Sequence, residues 1–227
     1  MTLSVRSRTL LVLASAAALT LSTASVATGA QPHTAQPDTA QPDTESQSGD
    51  DEVPWPPADT GGHWLPVPEQ LTAPFDVEGC GSVLHVSPGD VDETEYSAMV
   101  QPDGTVRVEY RGASTADLVR ESDSATLDEL DISGPGHEIY AADGRTVTYS
   151  FDGASYFFAF DDVEAAVLAT EGLPPIFYYE SGNLTERVTF PADPNATTVE
   201  SAQVLTDTMR GVSDVCDLLD DAAAHGH

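Results

Sequence analysis

The chain has 227 residues, 38 of them acidic against 8 basic, and a formal net charge of −30. Nucleic acid and anionic lipid are excluded as partners, because binding phosphates depends on Lys and Arg. The same charge favours a soluble monomer, while its self-repulsion opposes the compact state.

Residues 1–30 read as an export leader. Arg6 and Arg8 give a short positive start, an apolar run follows from Leu10 to Val26, and small residues lead to Ala27 and Ala30. That order of charge, apolar core and small-residue exit is the secretory pattern. The run is too short and too rich in Ser and Thr for a membrane span, which takes about 20 residues. No later stretch is apolar enough to span. The expected location is therefore extracellular, with a charge of about −32 once Arg6 and Arg8 are removed.

Residues 31–52 read as a disordered spacer. A five-residue repeat runs through Ala30–Thr34, Ala35–Thr39 and Ala40–Thr44, and a polar acidic stretch follows. Neither has apolar surface to bury. Residues 53–74 form an arm with six prolines and two tryptophans, Trp55 and Trp64. The prolines favour extended backbone, and the tryptophans either pin the arm to the domain or meet a partner.

A single β-rich domain is expected over 75–222, with a tail at 223–227. Ser82–Val86 reads as a strand. Tyr96–Gln101 and Thr105–Arg111 flank Pro102-Asp103-Gly104, a hairpin signal, and Val106, Val108 and Tyr110 alternate with polar residues on a half-buried strand. Ala113–Arg120 and Thr126–Ile132 are further strands. His137–Ala141 and Thr146–Phe151 flank Asp143-Gly144. Ser155–Phe160, Ile176–Tyr179, Thr185–Phe190 and 201–209 complete the set. A short helix is expected over 161–170, capped by Asp161 or Asp162, and another over 212–222. About ten short strands with local helices imply an antiparallel sandwich or barrel.

Cys80 and Cys216 are the only cysteines. In an exported chain such a pair reads as one disulfide. The start Gly79-Cys80-Gly81 and the end Val212–Leu219 around Cys216 resemble small secreted proteins of actinobacteria with no assigned activity. The resemblance covers about 75–222 and implies export alone.

Candidate sites are few. Tyr156, Phe158 and Phe160 share one face of a strand, and Tyr179 belongs to a second strand with apolar residues on both faces. Strands of that kind need a core on one side and a cover or a ligand on the other, so these four residues are the candidate lining for an apolar or aromatic guest. Asp90, Asp92, Glu93 and Glu95 offer carboxylate oxygens suited to calcium, with Asp128, Glu129 and Asp131 as a second acidic group. No other cofactor is implied. His85 and His137 lie on separate strands. Asn183–Thr185 and Asn195–Thr197 match the glycosylation pattern. There is no Gly-x-Ser-x-Gly elbow and no His-Glu-x-x-His motif.

The expected function is a secreted, non-enzymatic domain that binds a small apolar ligand or a cell-envelope component. The alternatives are a hydrolase using two acids and a structural envelope protein. Self-repulsion of the acidic surface predicts a melting temperature that rises between low and molar salt. An unchanged melting temperature would instead attribute the acidity to coding bias.

Overall fold

Period-2 alternation recurs along the chain, and the computed structural model, which describes residues 55–193, 196 and 198–225, turns it into antiparallel strands. The expected leader, the spacer, most of the Asn195–Thr197 motif and the last two tail residues lie outside the described residues. In chain order the elements are β1 Leu65–Pro66, α1 Glu69–Thr72, β2 Phe75–Gly79, β3 Ser82–Asp92, β4 Glu95–Val100, β5 Val106–Arg111, β6 Ser114–Arg120, β7 Thr126–Asp131 and β8 Gly136–Tyr140. There follow β9 Thr146–Asp152, β10 Ser155–Phe158, α2 Asp162–Thr170, β11 Ile176–Tyr179, β12 Asn183–Thr189, β13 Ser201–Asp207, β14 Ser213–Asp214 and α3 Val215–His225.

The strands form a seven-stranded sheet in the order β1-β4-β5-β8-β9-β12-β13, a four-stranded sheet β2-β3-β6-β7 and a three-stranded sheet β10-β11-β14. The architecture is mainly β and sandwich-like, and no sheet closes into a barrel. Among the described residues there are fourteen strands rather than the expected ten or so. The two-residue strands β1 and β14 are too short to show alternation, and β2 was read only as the start of the domain.

Three apolar clusters hold the sheets. The first lies under the seven-stranded sheet, where Tyr96, Val108, Tyr110, Val147, Phe151 and Val188 meet Trp55 and Val67 of the arm. The second joins the four-stranded sheet (Leu84, Val86, Leu118) to β10, β11 and α3. The third lies on the other face of β10 and β11, where Phe157, Phe177 and Tyr179 meet Leu168 of α2 and Leu184 of β12.

The arm belongs to the domain. Thr60 pairs with both backbone groups of Ala98, Asp59 accepts from Val100 N at 3.2 Å, and Leu65 and Pro66 register with Tyr96 and Glu95. Covering the β4 edge removes a template for pairing with other chains. Helix α2 is capped as expected: the Asp161 carboxylate accepts from Val163 N and Glu164 N. Helix α3 runs to His225, past the expected boundary at 222, so Ala223–His225 are helix rather than tail.

Cys80 and Cys216 are bonded. Cys80 and Gly81 are the two central residues of the β2–β3 turn, both with positive φ (54° and 73°). That is the hairpin turn whose twist matches the strands, and glycine adopts it without strain. The bond fixes this turn to the first turn of α3 across a separation of 136 residues. Closing so long a loop contributes roughly 4–5 kcal/mol in the chain-entropy model. Replacing both cysteines by alanine should therefore lower the melting temperature by about 10 °C or more. Thiol counting before and after reduction checks the pairing independently.

Candidate functional site

The chemistry that the sequence reading missed lies under the seven-stranded sheet. Glu138 of β8 registers with Tyr149 of β9, and Tyr149 registers with Glu186 of β12. All three lie on the sheet's inner face, since cross-strand partners share a face. Glu164 reaches the same layer from α2. Glu138, Glu164 and Glu186 are each 0 % exposed, so no reagent larger than a proton reaches them without movement of the protein.

Glu138 is the better satisfied. Its Oε2 accepts from Tyr140 Oη at 2.6 Å and Tyr110 Oη at 2.9 Å, with a long contact to Trp55 Nε1 at 3.5 Å. The indole N–H donates to Tyr140 Oη at 2.8 Å, which makes a chain from the arm to the carboxyl. Glu138 Oε1 has no partner. Burial pushes this carboxyl up to about 7, and the three donors pull the other way without prevailing.

Glu164 and Glu186 are brought to one place by their neighbours: Leu168, one turn after Glu164, packs with Leu184, which shares a strand face with Glu186, and the Phe160 ring lies against Tyr149, the register partner of Glu186. Glu164 Oε2 accepts from Phe160 N, but Glu164 Oε1 and both Glu186 oxygens have no hydrogen-bond partner among the described residues. Burial raises both carboxyls, and on Glu164 the charge of Glu186 adds to burial. The Tyr149 hydroxyl is pushed far up, first by burial and then by Glu138, Glu164 and Glu186. Neighbouring carboxyls in a dry site cannot both ionise cheaply, which favours a proton on the pair.

The residues expected to line a guest site do not converge. Tyr156 and Phe158 lie in the second cluster and Tyr179 in the third, while Phe160 packs against the first. Phe75 and Phe158 meet edge to face at 6.1 Å, and Phe157 and Phe177 stack at 5.3 Å. Both faces of these strands are thus covered by the protein's own side chains. The Tyr156 hydroxyl is buried without a partner.

The expected calcium residues are dispersed as well. Asp90 and Asp92 are part of β3, Glu93 N bonds Ala113 O in the turn, and Glu95 pairs with Arg111 at 2.8 Å. Glu129 of the second acidic group accepts from Asp90 N at 2.7 Å and Thr115 Oγ1 at 2.6 Å. It secures the irregular stretch between Pro88 and Asp92. Among the described residues no group of three or more His, Cys, Asp or Glu is placed to hold a metal ion. His85 pairs with Asp76 at 2.5 Å. His137 is lowered by partial burial and then by Arg107. The Asn183 amide donates to Ser150 Oγ, Phe151 O and Asp152 Oδ1.

The two outer sheet faces differ in chemistry. Outside the four-stranded sheet stand Asp76, Glu78, Asp117 and Glu129. Outside the seven-stranded sheet, one register row runs Met99, Arg107, Ile139, Thr148, Arg187 and Gln203. The next row runs Ser97, Glu109, His137, Ser150 and Thr185, with Glu109 paired to Arg107 at 2.8 Å and Ser150 joined to Thr185 at 2.9 Å. Arg187 and Gln203 are exposed, and Arg187 forms no ion pair among the described residues.

No family model, curated protein or solved structure matches this chain.

A buried carboxyl that is neutral in the folded state and ionised in the unfolded state makes stability fall as pH rises. The contribution of Glu138 is fully present below about pH 4.5 and is lost as pH rises through about 7. A shift of that size is on the order of 3 kcal/mol. Glu138→Gln should remove a loss of that order from the stability profile, measured by urea denaturation between pH 4 and 8.

Proposed function

We propose that this chain is a secreted, non-enzymatic domain that binds a polysaccharide of the cell envelope through the outer face of its seven-stranded sheet. The reading is carried by the contrast between the two outer faces. One presents carboxylates, which repel acidic polymers. The other has its carboxylate Glu109 held by Arg107 and presents the hydroxyls of Thr148, Ser150 and Thr185 and the amide of Gln203 around the exposed Arg187, which forms no ion pair among the described residues. Hydroxyls and amides both donate and accept, as sugars do, and a free guanidinium suits an acidic substituent.

Two rival readings have less support. A small apolar guest would need the aromatic strands to have an open face, and their side chains are packed on both sides. A two-acid hydrolase would draw support from the electrostatics of Glu164 and Glu186, which resemble an acid–base pair. Their complete burial leaves a substrate no approach.

The test is sedimentation of the purified chain with wall polysaccharide isolated from the producing organism. The double variant Arg187→Glu, Gln203→Glu alters two exposed positions and should bind at least tenfold more weakly with an unchanged melting temperature. Equal binding by the variant, or no binding by the original chain, overturns the proposal.

A further inference from the structure

Glu164 and Glu186 are completely buried and leave three carboxyl oxygens without a hydrogen-bond partner, in the layer where Leu168 of α2 packs with Leu184 of β12 and Val204 of β13. Glu164 is in the first turn of α2, and Glu186 is in β12, inside the seven-stranded sheet. From β12 and β13 the side chains beneath α2 are Glu186, Leu184 and Val204. We propose that these two carboxyls act as a proton-held latch: with a proton on the pair α2 stays docked, and loss of the last proton releases α2 while the rest of the domain remains folded. This goes beyond the binding role proposed above and does not depend on it.

The surroundings favour the protonated state. The charged and titratable groups that face the pair are Tyr149 on β9, on which Glu138 of β8 also acts, and Asp161 at the start of α2. All are acids. Among the described residues no arginine or histidine bonds to either carboxyl, and the chain has no lysine to take that place. Three of the four oxygens have no other donor, so an ionised pair has nothing to offset its desolvation. A single shared proton removes the like-charge repulsion and supplies the missing hydrogen bond.

Release should stay local. Helix α2 has nine residues and is tied at its start by Asp161, which caps it and accepts from Val199 N at 2.5 Å. Beyond that start its hold on the domain is apolar, through Leu168 on Phe157, Phe177 and Tyr179. The four-stranded sheet is held separately by its own cluster and by the disulfide. Undocking α2 would uncover Leu168 and the aromatic layer beneath it. Elements with few polar ties are the ones that open below the global unfolding free energy.

Hydrogen exchange on the full secreted chain between pH 5 and 9 tests the latch, using protection factors corrected for the intrinsic rate. Protection of the Ala165–Thr170 amides should fall at least tenfold on the alkaline side, while β3 and β6 keep theirs. Glu164→Gln combined with Glu186→Gln should abolish that fall, and Glu138→Gln should leave it in place. The original chain decides the matter even if the double variant fails to fold. PH-independent protection in α2, or loss of protection there only together with β3 and β6, overturns the latch.

Discussion

Enclosing Glu138, Glu164 and Glu186 under one sheet without a cation sets the conditions for the rest of the molecule. An isolated carboxylate in an apolar interior is so unfavourable that the group keeps its proton instead. The surrounding structure is arranged for neutral carboxyls. Tyr110, Tyr140 and Trp55 supply donors to Glu138, and α2 brings Glu164 into the same layer. The folded state therefore holds protons that the unfolded chain would release, and it is favoured by acid.

Electrostatic demands of opposite kinds thus meet in one domain. On the surface, dense carboxylates are ionised and repel one another, which salt relieves. In the interior, a few carboxyls are neutral, which acid relieves. The disulfide and the arm offset both. Cys80–Cys216 restricts the unfolded chain whatever its charge, and the arm seals the β4 edge while Trp55 closes the carboxyl layer. A chain with so few cations cannot neutralise its acids by pairing. Its described ion pairs use Arg107, Arg111, Arg120, Arg145 and His85. Of these arginines Arg120 is the best buried; its guanidinium is held between Asp123 and Asp220, so it ties the β6–β7 turn to α3.

Much of the fold was legible because its signals are local. Val106, Val108 and Tyr110 alternate over a single strand, Asp161 precedes its helix by one residue, and the turns carry their glycines. The carboxyl layer was partly legible too. Glu186 falls between Leu184 and Val188 in the same period-2 phase, which assigns it to the buried face of its strand. Asp90, Asp92, Glu93 and Glu95 make a denser acidic signal in the sequence, but the first three are exposed and Glu95 pairs with Arg111. The aromatic strands misled for a related reason. Alternation shows that both faces of β10 and β11 are apolar, but not whether a ligand or another element covers the second face.

By itself the sequence determined most of the strands, the two main helices, the cysteine pair and the surplus of acid, because each depends on neighbouring residues or on counting. Tertiary structure decided that the sheets stay open, that the arm is part of the domain, and that Glu138, Glu164 and Glu186 share one dry layer. Those outcomes depend on register between strands far apart in the chain and on which element covers which face. No local pattern encodes either, since a strand's alternation says which side is buried but not against what.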